Sequence, residues 1–156
     1  VTLTHREMTR FVMSVQESVK LVIDSALIAK GGEVFITKMP VMRIEDLAKV
    51  MINKLAPKYG KDPNGFKITE IGAKPGEKLY EELMSSEETQ RSIELKNYFS
   101  VTPAFKGVYN TIDYDYKEPN ETNVVNPYVS SDVSSMTLEE IGVLLDNCGL
   151  IEPLVK

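Results

Sequence analysis

A lysine and a glutamate stand three residues apart in Lys74-Pro75-Gly76-Glu77, on either side of a Pro-Gly pair that fixes a tight turn. On such a rigid turn a cation can meet a phosphate oxygen, and a carboxylate can accept hydrogen bonds from two ribose hydroxyls. The same run also reads as a solvated turn with an ordinary mix of charges. Arg10 lies between Thr9 and Phe11 at the start of a short apolar strand. Its charge is costly to bury without a partner. The guanidinium therefore either points into an anion site or reaches water or an acid such as Glu7.

Complete catalytic sets are missing. The sequence has no phosphate-binding GxxxxGK[ST] loop, no GxGxxG or GxxGxxG dinucleotide fingerprint and no G-x-S-x-G elbow. It has no C-x-x-C, H-E-x-x-H or spaced acidic calcium loop, so no metal ligands are assigned. Cys148 is the single cysteine and His5 the single histidine, far apart in sequence. Cys148 reads as a small, partly buried thiol at a helix end. Glu81, Glu82, Glu87 and Glu88 read as a solvated helix face rather than a catalytic pair. Phe99, Phe105, Tyr109, Tyr114 and Tyr116 could stack on a base but suit core packing and loop anchoring better. Asn120-Glu121-Thr122 fits the short N-glycosylation pattern. These observations assign no catalytic and no cofactor-binding residue.

Composition narrows the class. A chain of 156 residues with 42% hydrophobic and 26% charged residues can build one compact domain. The formal net charge of -5 disfavours nucleic acid and anionic membranes as partners, because both need a basic face. No apolar run is long enough for a membrane-spanning helix. One cysteine suits a cytoplasmic protein. Val1-Thr2-Leu3-Thr4 reads as a strand already under way, so the chain is expected to be a fragment.

The elements that must position these groups follow from periodicity. Arg10 to Met13 reads as a strand. Ser14 and Glu17 have capping-box spacing and open a helix whose Val15, Val19, Val22, Ala26 and Ala29 mark an apolar face, with Gly31-Gly32 as the stop. Glu33 to Thr37 reads as a strand broken by Pro40, and a helix follows from about Arg43 to Leu55. Phe66 to Ile71 alternates like a strand with one wet face. Glu77 to Met84 reads as a short helix, with one more helical turn from Ser86 to about Arg91. Asn97 to Thr102 reads as a strand, and residues 106–135 as an extended, irregular segment. Thr137 and Glu140 repeat the capping-box spacing before a last helix that Gly149 stops. The expectation is an α+β fold, short strands between helices, over a single domain spanning 1–156.

Several runs in this order resemble the inverting UDP-N-acetylglucosamine 4,6-dehydratases and capsular polysaccharide biosynthesis proteins, which are extended short-chain dehydrogenases. They are Val1-Thr2-Leu3-Thr4 with Glu7-Met8-Thr9-Arg10-Phe11, Gly32-Glu33-Val34-Phe35 with Lys38-Met39-Pro40, and Met42-Arg43-Ile44 leading into Asp46-Leu47-Ala48. Lys74-Pro75-Gly76-Glu77-Lys78-Leu79 is similar to the family's Arg-Pro-Gly-Glu-Lys motif. Tyr128-Val129-Ser130-Ser131 and Met136-Thr137-Leu138-Glu139-Glu140 resemble its C-terminal end. The resemblance implies the C-terminal, substrate-binding portion of such an enzyme, with the Rossmann core largely missing. It implies that Arg10 and Lys74 contact a nucleotide diphosphate, that Glu77 holds the ribose, and that the backbone at Leu3 and Thr4 lies along the uracil. Lys74 departs from the family's arginine and loses its bidentate fork.

The implied parent is a lyase of polysaccharide biosynthesis that uses NAD or NADP, neither of which this chain would bind itself. Its partners would be a UDP-sugar, an upstream Rossmann half and possible copies of itself. Two other readings stay open. One is the matching part of a UDP-sugar 4-epimerase. The other is a structural module whose Val15–Ala29 helix is buried between chains.

Overall fold

The computed structural model describes residues 1–105, 107, 111–117 and 123–152. In chain order these form β1 (Thr2–Leu3), β2 (Thr9–Phe11), α1 (Val15–Ile28), β3 (Val34–Thr37), β4 (Val41–Arg43), α2 (Ile44–Leu55) and β5 (Thr69–Glu70). They continue with β6 (Glu82–Met84), α3 (Ser86–Thr89), β7 (Ser92–Glu94), β8 (Tyr98–Val101), β9 (Tyr128–Val129) and α4 (Leu138–Asn147). The mixture of short strands and helices is the α+β architecture that the sequence pattern expects. It divides into two compact units, one of Val1–Val12, Pro40–Glu81 and Ser130–Lys156, the other of Met13–Met39 and Glu82–Val129.

The first unit carries the candidate site. β2 pairs antiparallel with β4, Thr9 facing Arg43 and Arg10 facing Met42. β1 pairs in parallel with β5. Helices α2 and α4 bury Met42, Val50, Ile141 and Leu145 between them, with Ile141 fully enclosed. The Thr137–Glu140 capping box forms as its spacing predicts, and Gly149 ends the helix region with φ 65°, a backbone that glycine adopts without penalty. Cys148 caps the C-terminus of α4 as a free, half-buried thiol.

The second unit is built on the sheet β3-β8-β7, antiparallel throughout. Every residue of β8 is buried. Phe35, Tyr98 and Tyr116 meet edge to face, and the Tyr116 hydroxyl bonds Ser100 Oγ at 2.9 Å and Glu33 Oε1 at 3.1 Å. Burial, with smaller contributions from Glu33, pushes the Tyr116 phenol up to about 12. Phe99 and Tyr116 thus serve packing, and Tyr114 anchors its loop on the Gly31 carbonyl. Phe105 is exposed, while Tyr109 and Asn120-Glu121-Thr122 fall outside the described residues.

Three expectations change. The helix expected over Glu77 to Met84 is extended chain ending in β6, which pairs with β9. A helix needs its own carbonyls, and here tertiary donors take them. Leu79 O accepts from Thr9 N at 2.9 Å, Lys78 O from Arg10 Nη2 at 2.7 Å, and Glu81 O from Ser130 N at 2.8 Å. The apolar stripe of α1 is not its inner face. Val15, Val19 and Val22 are exposed, and Leu21 and Ile28 pack inward instead. The strand expected over Phe66 to Ile71 pairs only at Thr69–Glu70, with Phe66 and Ile71 exposed. Strands β4, β7 and β9, short and paired with distant segments, carry no alternation that announces them.

Candidate functional site

The Lys74–Glu77 run forms the turn its residues demand. Pro75 occupies the second position, Gly76 the third with φ 82°, and Glu77 N donates to Lys74 O at 3.0 Å, as in a type II turn. The Glu77 carboxylate then folds back. Its Oε2 accepts from Lys74 N at 3.0 Å, and its Oε1 from the Thr4 hydroxyl at 3.0 Å, just beyond β1. The carboxyl sits below its ordinary value. The Lys74 amide is the largest cause, partial desolvation opposes it, and the Thr4 hydroxyl and the charges of Lys74 and Arg10 add to the lowering. Thr4, Lys74, Glu77 and Arg10 therefore share one electrostatic neighbourhood. The Lys74 ammonium makes no hydrogen bond or close ion pair among the described residues, though its charge acts on Glu77.

Arg10 binds backbone first. Nη1 donates to Thr9 O at 2.7 Å and Leu79 O at 3.4 Å, Nη2 to Lys78 O at 2.7 Å, and Nε faces Glu81 Oε1 at 3.7 Å. Its acid is thus Glu81 and not Glu7. Glu81 also accepts from Phe11 N at 3.0 Å, so it is no solvated helix face but a latch between β2 and the chain after the turn. Of the five N–H donors of a guanidinium, these contacts leave one on Nη2 for an incoming oxygen.

Leu3 contributes differently from Thr4. Its side chain is buried, and its carbonyl accepts from Ile71 N at 2.8 Å. It lines an apolar hollow of about 520 Å³ with Leu47, Met51, Leu55 and Phe66, which holds none of the candidate charges. The polar geometry lies at the turn and not in this hollow.

Ser130 was legible only as part of a family-like run. It is fully buried, shares a 2.8 Å hydrogen bond with Thr9 Oγ1 and accepts from Glu81 N at 2.9 Å. It ties β2 to the segment whose carbonyls Arg10 holds, and only the fold brings it there. No group of three or more metal-ligating side chains exists among the described residues. The four α-helices begin after Ser14, Arg43, Ser85 and Thr137. No helix among the described residues is long and apolar enough to cross a membrane.

Comparisons with known proteins show the family. The family model of polysaccharide biosynthesis proteins matches residues 1–103. An uncharacterized membrane protein of Methanocaldococcus jannaschii is 56% identical over 103 residues, which is 66% of this chain and 31% of that protein. The UDP-glucose 4-epimerase of Rickettsia bellii is 33% identical over all 156 residues, 43% of its own length. The inverting UDP-N-acetylglucosamine 4,6-dehydratase of Campylobacter jejuni is 35% identical over 112 residues, 72% of this chain and 30% of that enzyme. The crystal structure of Pen from Bacillus thuringiensis superposes with a TM-score of 0.80 at 36% identity, covering 97% of this chain and 42% of that one. The chain thus spans less than half the length of these relatives.

Proposed function

The chain belongs to the polysaccharide biosynthesis protein family, and from that membership we propose that it is the UDP-holding portion of an NAD(P)-dependent nucleotide-sugar 4,6-dehydratase. Lys74 and Arg10 take the diphosphate, Glu77 the ribose, and the backbone at Leu3 and Thr4 the uracil. The observation that carries this reading is the convergence of Thr4, Lys74, Glu77 and Arg10 on the Pro75-Gly76 turn. An ionised carboxylate offers about four lone-pair sites. Two are used by Thr4 and Lys74, which leaves each oxygen of Glu77 free to accept once more. With Arg10 largely spent on carbonyls, Lys74 supplies the freer cation, a point charge rather than a fork.

The chemistry on the sugar, and the cofactor, belong to a further half of the parent enzyme. The second unit offers that half a surface. Helix α1 has no buried residue, Val15 and Leu27 are 76% and 79% exposed, and among the described residues β3 is an edge strand paired with β8 alone. The single cysteine accords with a place in the cytoplasm. A second reading, the matching part of a UDP-glucose 4-epimerase, draws on the similarity that extends over all 156 residues.

Calorimetric titration with UDP tests the site. Lys74→Ala and Glu77→Gln are each expected to weaken binding about tenfold, the loss of one charge-assisted contact. Unchanged affinity in an Arg10→Ala, Lys74→Ala double variant would refute the assignment. With the upstream half supplied, NMR of the product separates the readings: a 4-keto-6-deoxy sugar means dehydratase, a C4 epimer means epimerase.

A further inference from the structure

The first unit contains a second hollow, of about 380 Å³, which the nucleotide reading does not use. Directly paired residues of an antiparallel ladder share a face, and their chain neighbours take the other. Thr9 and Arg43 are such a pair and both line this hollow, whereas Arg10 stands on the opposite face with Met42. The hollow is completed by Glu7, Leu79, Tyr80, Ser131 and Ser135.

Its polar groups are little occupied. Arg43 meets protein only through Nε, 3.7 Å from Asp46 Oδ2, which leaves its terminal N–H groups without a partner among the described residues. The Glu7 carboxylate, the Tyr80 phenol and the Ser135 hydroxyl make no hydrogen bond there either. Ser131 Oγ donates to Asp132 Oδ1 at 2.8 Å and keeps its acceptor sites. The lining carries one guanidinium and one carboxylate, and Asp46 already faces Arg43, so a free anion meets no net positive charge here.

We propose that this hollow binds a neutral pyranose ring. Each sugar hydroxyl both donates and accepts, and the ring presents a C–H face. The hollow matches both needs: Glu7 as an acceptor for neighbouring hydroxyls, Arg43 as a donor, Tyr80, Ser131 and Ser135 as either, and Leu79 as an apolar wall. The volume suits one ring and its ordered water. The site stands apart from the nucleotide turn and does not rest on that reading.

Saturation-transfer NMR and calorimetry with glucose and N-acetylglucosamine, on the full chain, test it. Binding in the low millimolar range is expected, falling about tenfold or more in Glu7→Gln and in Arg43→Met. Both variants keep side-chain bulk at solvent-facing positions, and Ser135→Ala, with an expected loss of about threefold, gives a third probe. UDP should neither displace the sugar nor bind differently in these variants. Absence of transfer up to about 50 mM sugar, or equal binding in all the variants, overturns the proposal. So does displacement by UDP, or a preference for inorganic phosphate. Sugar binding sensitive to Glu7 and Arg43 in a chain that ignores UDP upholds it while removing the nucleotide reading.

Discussion

Gly76 shapes the Lys74–Glu77 turn, and Ser130 holds the segment that follows it. Gly76 holds φ 82°, where a side chain is strained. Gly76→Ala is expected to cost about 1 kcal/mol and to weaken UDP binding in the same titration, because the Lys74–Glu77 geometry shifts. Ser130→Ala removes a fully buried hydroxyl and leaves the Glu81 amide without its 2.9 Å acceptor. A loss of about 1–3 kcal/mol in urea unfolding is expected. The turn was readable from its own letters, since Pro-Gly chemistry is local. Arg10's true partner was not, since Glu81 is distant in sequence and resembled its acidic neighbours.

Helix starts are the best-announced elements of this chain. Glu17, Glu88 and Glu140 each close a capping box, and each carboxyl is held below its ordinary 4.5, first by the cap residue's amide and then by its hydroxyl. A depressed folded-state pKa means stability that is present above 4.5 and is lost as pH falls through the folded value. Helical circular dichroism is therefore expected to hold at neutral pH and to decline as pH falls below 4.5. In Glu17→Gln that decline should be shallower, because one linked proton is gone. Thr137→Ala should cost about 1 kcal/mol at pH 7. The segment after Glu77 shows where local reading failed. Its apolar spacing fits a helix, but Thr9, Arg10 and Ser130 claim its carbonyls. No periodicity records a hydrogen bond made to a distant strand.

At the scale of the molecule, each unit has its own core. Ile141→Ala, at a position with no exposure, is expected to lower unfolding free energy by about 2–5 kcal/mol. Val15→Lys with Leu27→Lys is expected to leave stability within about 0.5 kcal/mol, since both side chains are already in water. Light scattering of that variant against the parent reads whether the α1 face joins copies of the chain. An unchanged mass leaves the face to the proposed further half, and a smaller mass assigns it to self-association.

By itself the sequence determined where helices start and stop, where the Pro-Gly turn falls and which family the chain belongs to. These depend on neighbouring residues and on the order of short runs. Only the tertiary structure decided that Arg10 clamps carbonyls and faces Glu81, that α1 turns its valine stripe outward, and that Thr9 and Arg43 share a hollow. Each of these depends on which distant segments pair, and pairing is settled by the packing and hydrogen bonding of the folded chain.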